Sequence, residues 1–446
     1  VARNPQEAFK DKEFRRMTSD LLTQLLQKLD EPQARFSLLD SYYAGESPLA
    51  YLAPAALEAL GNRLRKVSIN IPRLLVDSVA ERLRVTGFAG ADVWPDWLSC
   101  DLDQTSRIAH KEALVLGSAW AIVWAGPDGR PSVSIESSHQ MAAITDPGTR
   151  RILYAVKRWE DDRRTHAVVY GPEEIVRYRA EHTGATTAGF RAVETIPNPL
   201  NVVPVVRFSN SSRLLDDGSS EMVDVLDLSD ALMKLVTDML VASEYGARPR
   251  RFATGVEIVE VPVLDGDGEP TGETIEQNPF PEGSRALISE SPDARFGQLP
   301  GADLAGYEAA IGVIMRSISA VSGLPEHMLG IGGDNPTSAD SIRASEAALT
   351  ARAEQRQAQL GQGWEDVARL IVAVRDGVDP RNVDVSVQWA DASTRSVSAE
   401  ADAVTKLFSA GLLPPKFALR RLGYSDADLV EIAAARAAEI PMPGVA

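Results

Sequence analysis

The stretch Ser322–Asp340, SGLPEHMLGIGGDNPTSAD, decides how this 446-residue chain is read. Upstream of it, Leu304, Tyr307, Ile311, Ile314, Ile318 and Val321 recur at spacings of three and four, which puts them on one apolar stripe of a helix. That helix stops at Ser322-Gly323, with Pro325 just beyond. Downstream, Thr337-Ser338-Ala339-Asp340 fits a capping box with Asp in the acidic role, opening a second helix that runs to about Arg375. Gly361 and Gly363, before Trp364, are expected kink points in it. The intervening Gly/Pro-rich loop carries no recognisable catalytic chemistry. A conspicuous loop held between long helices reads as a mechanical or binding part.

Moving toward the N-terminus, a helix is expected over 219–245, capped by Asp216-Asp217-Gly218-Ser219-Ser220 and striped by Met222, Val225, Leu226, Leu232, Val236, Met239 and Leu240. Glu221 and Asp224 fall where the helix dipole favours acids. Between this helix and the one ending at Ser322, residues 254–300 lose helical periodicity and offer only strand-like runs at Val256–Leu264 and Arg285–Ile288. Further upstream, helices are expected over 7–29, from Pro72 to about Arg84, and over 101–118. At Ala119 the period changes to two. Trp120–Trp124, the turn Gly126-Pro127-Asp128-Gly129 and Ser132–Ile135 make a hairpin. Strands follow at Ile152–Trp159, Thr165–Tyr170, Ile175–Tyr178 and Val205–Phe208. Beyond the long helix, a strand at Val383–Trp389 precedes short helices over 396–410, 415–423 and 426–438. The fold class is α+β, mainly helical.

Composition narrows the function. A formal charge of −17 argues against a surface that grips nucleic-acid phosphates, though it permits one past which DNA slides. Residues 219–300 hold 16 acids and 6 bases, whereas 336–375 hold five of each. Cys100 is alone, so there is no disulfide framework or cysteine metal cage, and a reducing compartment is expected. Val1–Gln33 shows no signal pattern, and the missing initiator Met implies trimming or an incomplete start. The longest apolar run, Ala113–Ala125, is too short for a membrane span, so a soluble protein without a membrane partner is expected.

Catalytic signatures are sparse. No phosphate loop and no Gly-x-Ser-x-Gly elbow occurs. His110, His139, His166, His182 and His327 are scattered, with no pair at metal spacing, so no metal and no cofactor are expected. Gly330-Ile331-Gly332-Gly333 follows a helix rather than a strand, unlike a dinucleotide loop. Asp161-Asp162 and Asp216-Asp217 fit solvated turns or helix caps better than a cation site. The basic run Arg248-Pro249-Arg250-Arg251 could meet an acidic partner or a phosphate, or simply its acidic neighbours. Two long helices sent out to a small subdomain need lateral neighbours, which ring assembly supplies.

This order resembles the portal proteins of tailed bacteriophages, particularly the siphophage type of actinobacterial viruses. The resemblance is carried by Tyr42-Tyr43-x-Gly45-x-x-Pro48-Leu49, by Val76-Asp77 with Glu81-Arg82-Leu83-x-Val85-x-Gly87-Phe88, and by Ser322-Gly323-Leu324-Pro325-x-His327-x-Leu329-Gly330. Asn335-Pro336-x-Ser338-Ala339 leading into Ile342-Arg343-x-x-Glu346-x-x-Leu349 completes it. It implies a ring, usually of twelve subunits, at one capsid vertex of the virion, assembled in the host cytoplasm. Double-stranded DNA is packaged and ejected through it without sequence preference. The large terminase, the major capsid protein and a head-to-tail adaptor are the implied partners. Portals of this kind are not enzymes; ATP is spent by the separate packaging motor.

The implied parts are a wing (1–215), a stem helix (216–250), a clip (251–300) and a returning stem helix (301–323). A tunnel loop (324–337), a long kinked helix (338–375), a wing strand (376–395) and a helical crown (396–446) complete the order. The resemblance places Gly330, Gly332, Gly333, Asp334, Asn335 and Thr337 toward DNA, and Arg248, Arg250, Arg251, Glu269, Glu273 and Glu276 toward the motor. The alternatives are an acidic α+β metal-dependent hydrolase using Asp residues of 119–210, or another ring-forming phage connector.

Overall fold

The computed structural model describes residues 20–46, 68–211, 213–214, 216–247, 251–255, 259–264, 266, 269–277, 292–298, 304–331, 339–393, 397–422 and 426–439. Helix α1 covers 20–30 and α2 Gln33–Ala44. They are followed by α3 (Ile71–Ala80), β1 (Val85–Ala89), α4 (Trp94–Ser99) and α5 (Leu102–Leu116). Then come β2 (Ser118–Ala125), β3 (Pro131–Ser137), β4 (Met141–Thr145), β5 (Ile152–Glu160), β6 (Thr165–Tyr170), β7 (Glu174–Ala180), β8 (Arg191–Pro197) and β9 (Val205–Ser209). Helix α6 (Leu226–Ala247) leads to β10 (Arg251–Thr254), β11 (Val259–Leu264), β12 (Pro270–Gln277) and β13 (Arg295–Gln298). The chain continues through α7 (Ala305–Ser322), α8 (Ala339–Ser345), α9 (Ala347–Asp376) and β14 (Ser386–Trp389), and ends in α10 (Val397–Ser409), α11 (Pro415–Arg421) and α12 (Asp426–Glu439).

Two compact units result. The larger takes in residues 1–47, 70–226 and 318–446; the smaller takes in 48–69 and 227–317. In the larger unit β4–β8 form an antiparallel meander in sequence order, and β2 sits between β3 and β9 in a second sheet. One face of the meander is covered by Leu22, Leu25, Leu26 and Leu29 of α1, which meet Val156, Ala167, Val169 and Val176. Its other face meets Trp120, Ile122 and Val205 of the second sheet through Met141, Ala143 and Ala155. Along β4 and β5 the residues facing α1 alternate with those facing the second sheet, so a one-residue slip would exchange the two sets. The late strand β14 returns to pair with β1, Val85 opposite Trp389.

An aromatic group holds the helices to these sheets. Trp364 of α9 is fully buried against Trp97 (centroids 4.9 Å) and Phe208 (4.3 Å). Its indole N–H donates to His110 Nε2 at 2.7 Å, while His110 Nδ1–H donates to the Leu83 carbonyl at 3.1 Å. These two bonds fix the neutral tautomer, since Nε2 must accept. Burial keeps the ring uncharged, holding its pKa at about 3 against an ordinary 6.5.

The glycines beside Trp364 have a packing role. Helix α9 runs uninterrupted through Gly361 and Gly363. A β-carbon at Gly363 would lie 2.5 Å from Phe208 Cδ1, and one at Gly361 would lie 3.2 Å from Trp389 Nε1. These glycines allow close approach of the sheet. The helical break falls at Glu346, between α8 and α9.

The helix expected from 219 begins later, at Leu226, after a 3-10 turn at Val223–Val225. The segment before it is held by tertiary hydrogen bonds: Glu221 N–H goes to the Leu114 carbonyl and Ser219 N–H to that of Asn210. Gly117 (φ 95°) and Gly218 (φ 127°) meet back to back there, and a β-carbon on Gly117 would lie 2.7 Å from the Gly218 backbone. The remaining expected strands and helices appear with shifted ends, while α2, β1, α4, β4, β8, β10, β12 and β13 were not anticipated. The run Arg285–Ile288 lies outside the described residues, as does the first part of the helix expected over 7–29.

Candidate functional site

The loop that organises the sequence reading has a defined entry. Helix α7 closes at Ser322, whose Oγ accepts from Leu324 N–H (3.1 Å), while Ser319 Oγ–H donates to the Leu324 carbonyl (2.7 Å). Pro325 then starts a 3-10 turn, Glu326–Leu329, ended by Gly330 in the left-handed region at φ 70°. A β-carbon there would touch nothing, so Gly330 is needed for its backbone conformation alone. Of the loop residues named from the sequence, Gly330 is thus placed at the entry. Gly332, Gly333, Asp334, Asn335 and Thr337 lie outside the described residues.

The loop's two flanks meet at one buried carboxylate. Glu346, at the α8–α9 break, accepts from Arg82 Nη2 at 3.0 Å, and the two side chains are 7% and 13% exposed. Its other oxygen is 3.8 Å from His327 Nε2, on the turn before the loop. Arg82 Nη1 also donates to the Ala392 carbonyl at 2.7 Å, so the same cation reaches the segment after β14. Other residues that carried the family resemblance pair likewise. Tyr43 Oη–H donates to Asp77 Oδ1 at 2.9 Å, and Lys111 Nζ lies 2.9 Å from that oxygen. Burial would raise Asp77, but hydrogen bonds from Lys111 and Tyr43 outweigh it and hold the carboxyl below its ordinary value.

A second buried carboxylate, Glu221, binds α9 from another side. Its side chain is 1% exposed and receives Arg352 Nη1 at 2.9 Å, Arg356 Nε at 3.0 Å and Asn210 Nδ2 at 3.2 Å. Sequence reasoning took Glu221 for a helix-dipole acid and missed this role. The available signal was Arg352 and Arg356, two cations one turn apart on one face of α9.

The smaller unit carries the remaining candidates. Arg251 pairs with Gln298 across β10–β13, and Glu276 lies opposite Glu260 on β12–β11. Glu273 is also on β12, Glu269 is an exposed residue just before it, and Arg248 and Arg250 lie outside the described residues. Arg251 thus lies on the β10–β13 ribbon, and Glu273 and Glu276 on the β11–β12 ribbon. More telling is the apolar surface. Of the apolar stripe, Leu304, just before α7, is 42% exposed and Val321 43%, while Tyr307, Ile311 and Ile314 are half-buried and Ile318 is fully buried. Val313 on the same helix is 55% exposed, and Ile275 on β12 61%. Among the described residues no helix is long and apolar enough to cross a membrane, and no group of His, Cys, Asp and Glu could hold a metal ion.

Comparison with known proteins places the chain in a family. The family model "Phage portal protein, SPP1 Gp6-like" matches residues 23–442. The portal protein of Mycobacterium phage L5 is 31% identical over 383 residues, covering 80% of this chain and 76% of that one. The portal protein of Mycobacterium phage D29 is 30% identical over 421 residues, covering 88% and 83%. A looser likeness, with a TM-score of 0.44 at 15% identity over 84% of this chain and 95% of the other, is to a solved chain described as the neck of a native GTA particle computed with C12 symmetry. Matched by the family model along nearly its whole length, and by two relatives over four-fifths of it or more, the chain belongs to the phage portal protein family.

Proposed function

We propose that this portal protein works as a closed ring of twelve copies at one capsid vertex of the virion, with double-stranded DNA passing through its central channel in packaging and ejection. The observation that carries the reading is apolar surface left partly uncovered on and just before α7: Leu304, Val313 and Val321 are 42%, 55% and 43% exposed, and a ring of identical subunits supplies every copy with a neighbour to cover them. Measured by light scattering or native mass spectrometry, the purified protein should be a particle about twelve times the chain mass. A stable monomer that turns over a metal-dependent substrate would favour the hydrolase alternative.

Within that ring, the loop from Gly330 through Gly332, Gly333, Asp334, Asn335 and Thr337 faces the DNA. An acidic lining lets the duplex slide without being trapped. The segment 251–300, with Arg251, Glu269, Glu273 and Glu276 and the preceding Arg248 and Arg250, docks the large terminase. The major capsid protein and a head-to-tail adaptor contact other faces. Gly332→Pro and Gly333→Pro, which stiffen the backbone at the loop, should lower the yield of filled heads while rings still form. Normal yields of filled heads from both variants would remove the loop from the mechanism.

A further inference from the structure

The chain passes from the larger unit into the smaller at Leu226 and returns at Ile318. Glu221 lies five residues before the exit, and Val321 three residues after the return. One guanidinium holds both. Arg352 Nη1 donates to Glu221 Oε1 at 2.9 Å, and its Nη2 donates to the Val321 carbonyl at 3.1 Å. Arg356, one turn along α9, shares Glu221 at 3.0 Å but spends its other arm on Gln359 of its own helix at 2.8 Å. The two arginines are therefore alike in charge and in carboxylate partner, and differ in whether they reach the end of α7.

We propose that Arg352 is a two-armed tether that fastens both connections to one turn of α9, so that a displacement of this helix reaches the exit and the return together. The planar fork of arginine suits the task, because two of its N–H groups point to separate acceptors from one rigid group. The carbonyl of Val321 lies in the last turn of α7, where helical carbonyls lack an intrahelical partner, so the bond also satisfies a helix end. Its functional weight rests on the portal reading, in which α9 follows the loop that meets DNA.

Arg352→Ala, Arg352→Lys and Arg356→Ala in the full-length assembled protein test this by amide hydrogen exchange. Residues 219–226 should exchange faster in both alanine variants, about tenfold, since each removes a partner of Glu221. Residues 318–324 should accelerate about tenfold in Arg352→Ala and Arg352→Lys, yet stay within about twofold of the parent in Arg356→Ala. The lysine variant keeps the charge and guards against general unfolding, because a single ammonium cannot span both acceptors. Equal acceleration of 318–324 in all three, or none in Arg352→Ala, would overturn the tether. The same variants are then scored for filled heads. A deficit confined to the Arg352 variants supports the tether's role in DNA handling. The expected exchange pattern with undiminished filled heads keeps the tether but overturns the reading of α9 on which that role rests.

Discussion

Trp364→Ala should lower the stability of the larger unit by about 4 kcal/mol, the usual cost of emptying a large aromatic site in a packed core. The indole is fully buried and touches Trp97, Phe208 and His110, which come from three separate parts of the chain. Its loss opens a cavity where α4, α5, α9 and β9 converge, and no single neighbour is free to fill it. His110 Nε2 loses its donor as well, leaving a buried acceptor unpaired. Trp364→Phe separates the two effects. It keeps most of the ring contact and removes the N–H, so about 2 kcal/mol should be lost. Chemical denaturation followed by tryptophan fluorescence and far-UV circular dichroism measures both. A Trp364→Ala protein within about 1 kcal/mol of the parent would mean the aromatic group is not the keystone of this unit.

Acid should weaken the same unit through His110. The unfolded chain takes up a proton at this residue near pH 6.5, whereas burial in the folded state delays uptake until about pH 3. The unfolded state therefore binds more protons throughout that window, and stability falls as the pH drops through it. At about 1.4 kcal/mol per pH unit, the loss through His110 reaches about 3 kcal/mol by pH 4, and the contribution levels off below pH 3. In His110→Gln the amide can donate to the Leu83 carbonyl and accept from Trp364, but it does not titrate. Its stability should be lower at neutral pH and flatter toward acid. Denaturant midpoints at pH 7, 5.5 and 4 decide the matter: parallel acid slopes in the parent and His110→Gln would remove His110 as the cause.

Both effects arise where distant segments meet, and they mark the boundary of what the sequence shows. The alternation Trp120–Trp124 and Ser132–Ile135 is a local signal, and the structure pairs those strands. The spacing of Leu304 to Val321 is equally local, and the helix is present as Ala305–Ser322. Strand β8 escaped notice because almost all of it is exposed, so it carries no apolar alternation. Strand β12, Pro270–Gln277, escaped for a related reason: Gly272 and its acidic residues read as a turn-rich stretch.

The sequence by itself determined the α+β class, the order of helices around the Gly/Pro loop and the resemblance to portals, since each depends on residue types within one element or on their order. Tertiary structure alone decided that Gly361 and Gly363 serve close packing, that α6 starts at Leu226, and that Glu221 and Glu346 gather arginines from elsewhere in the chain. Spacing along a chain fixes which side chains share a face. Which partner a buried charge or a missing β-carbon meets depends on segments up to about three hundred residues away, and only their packing in three dimensions brings those together.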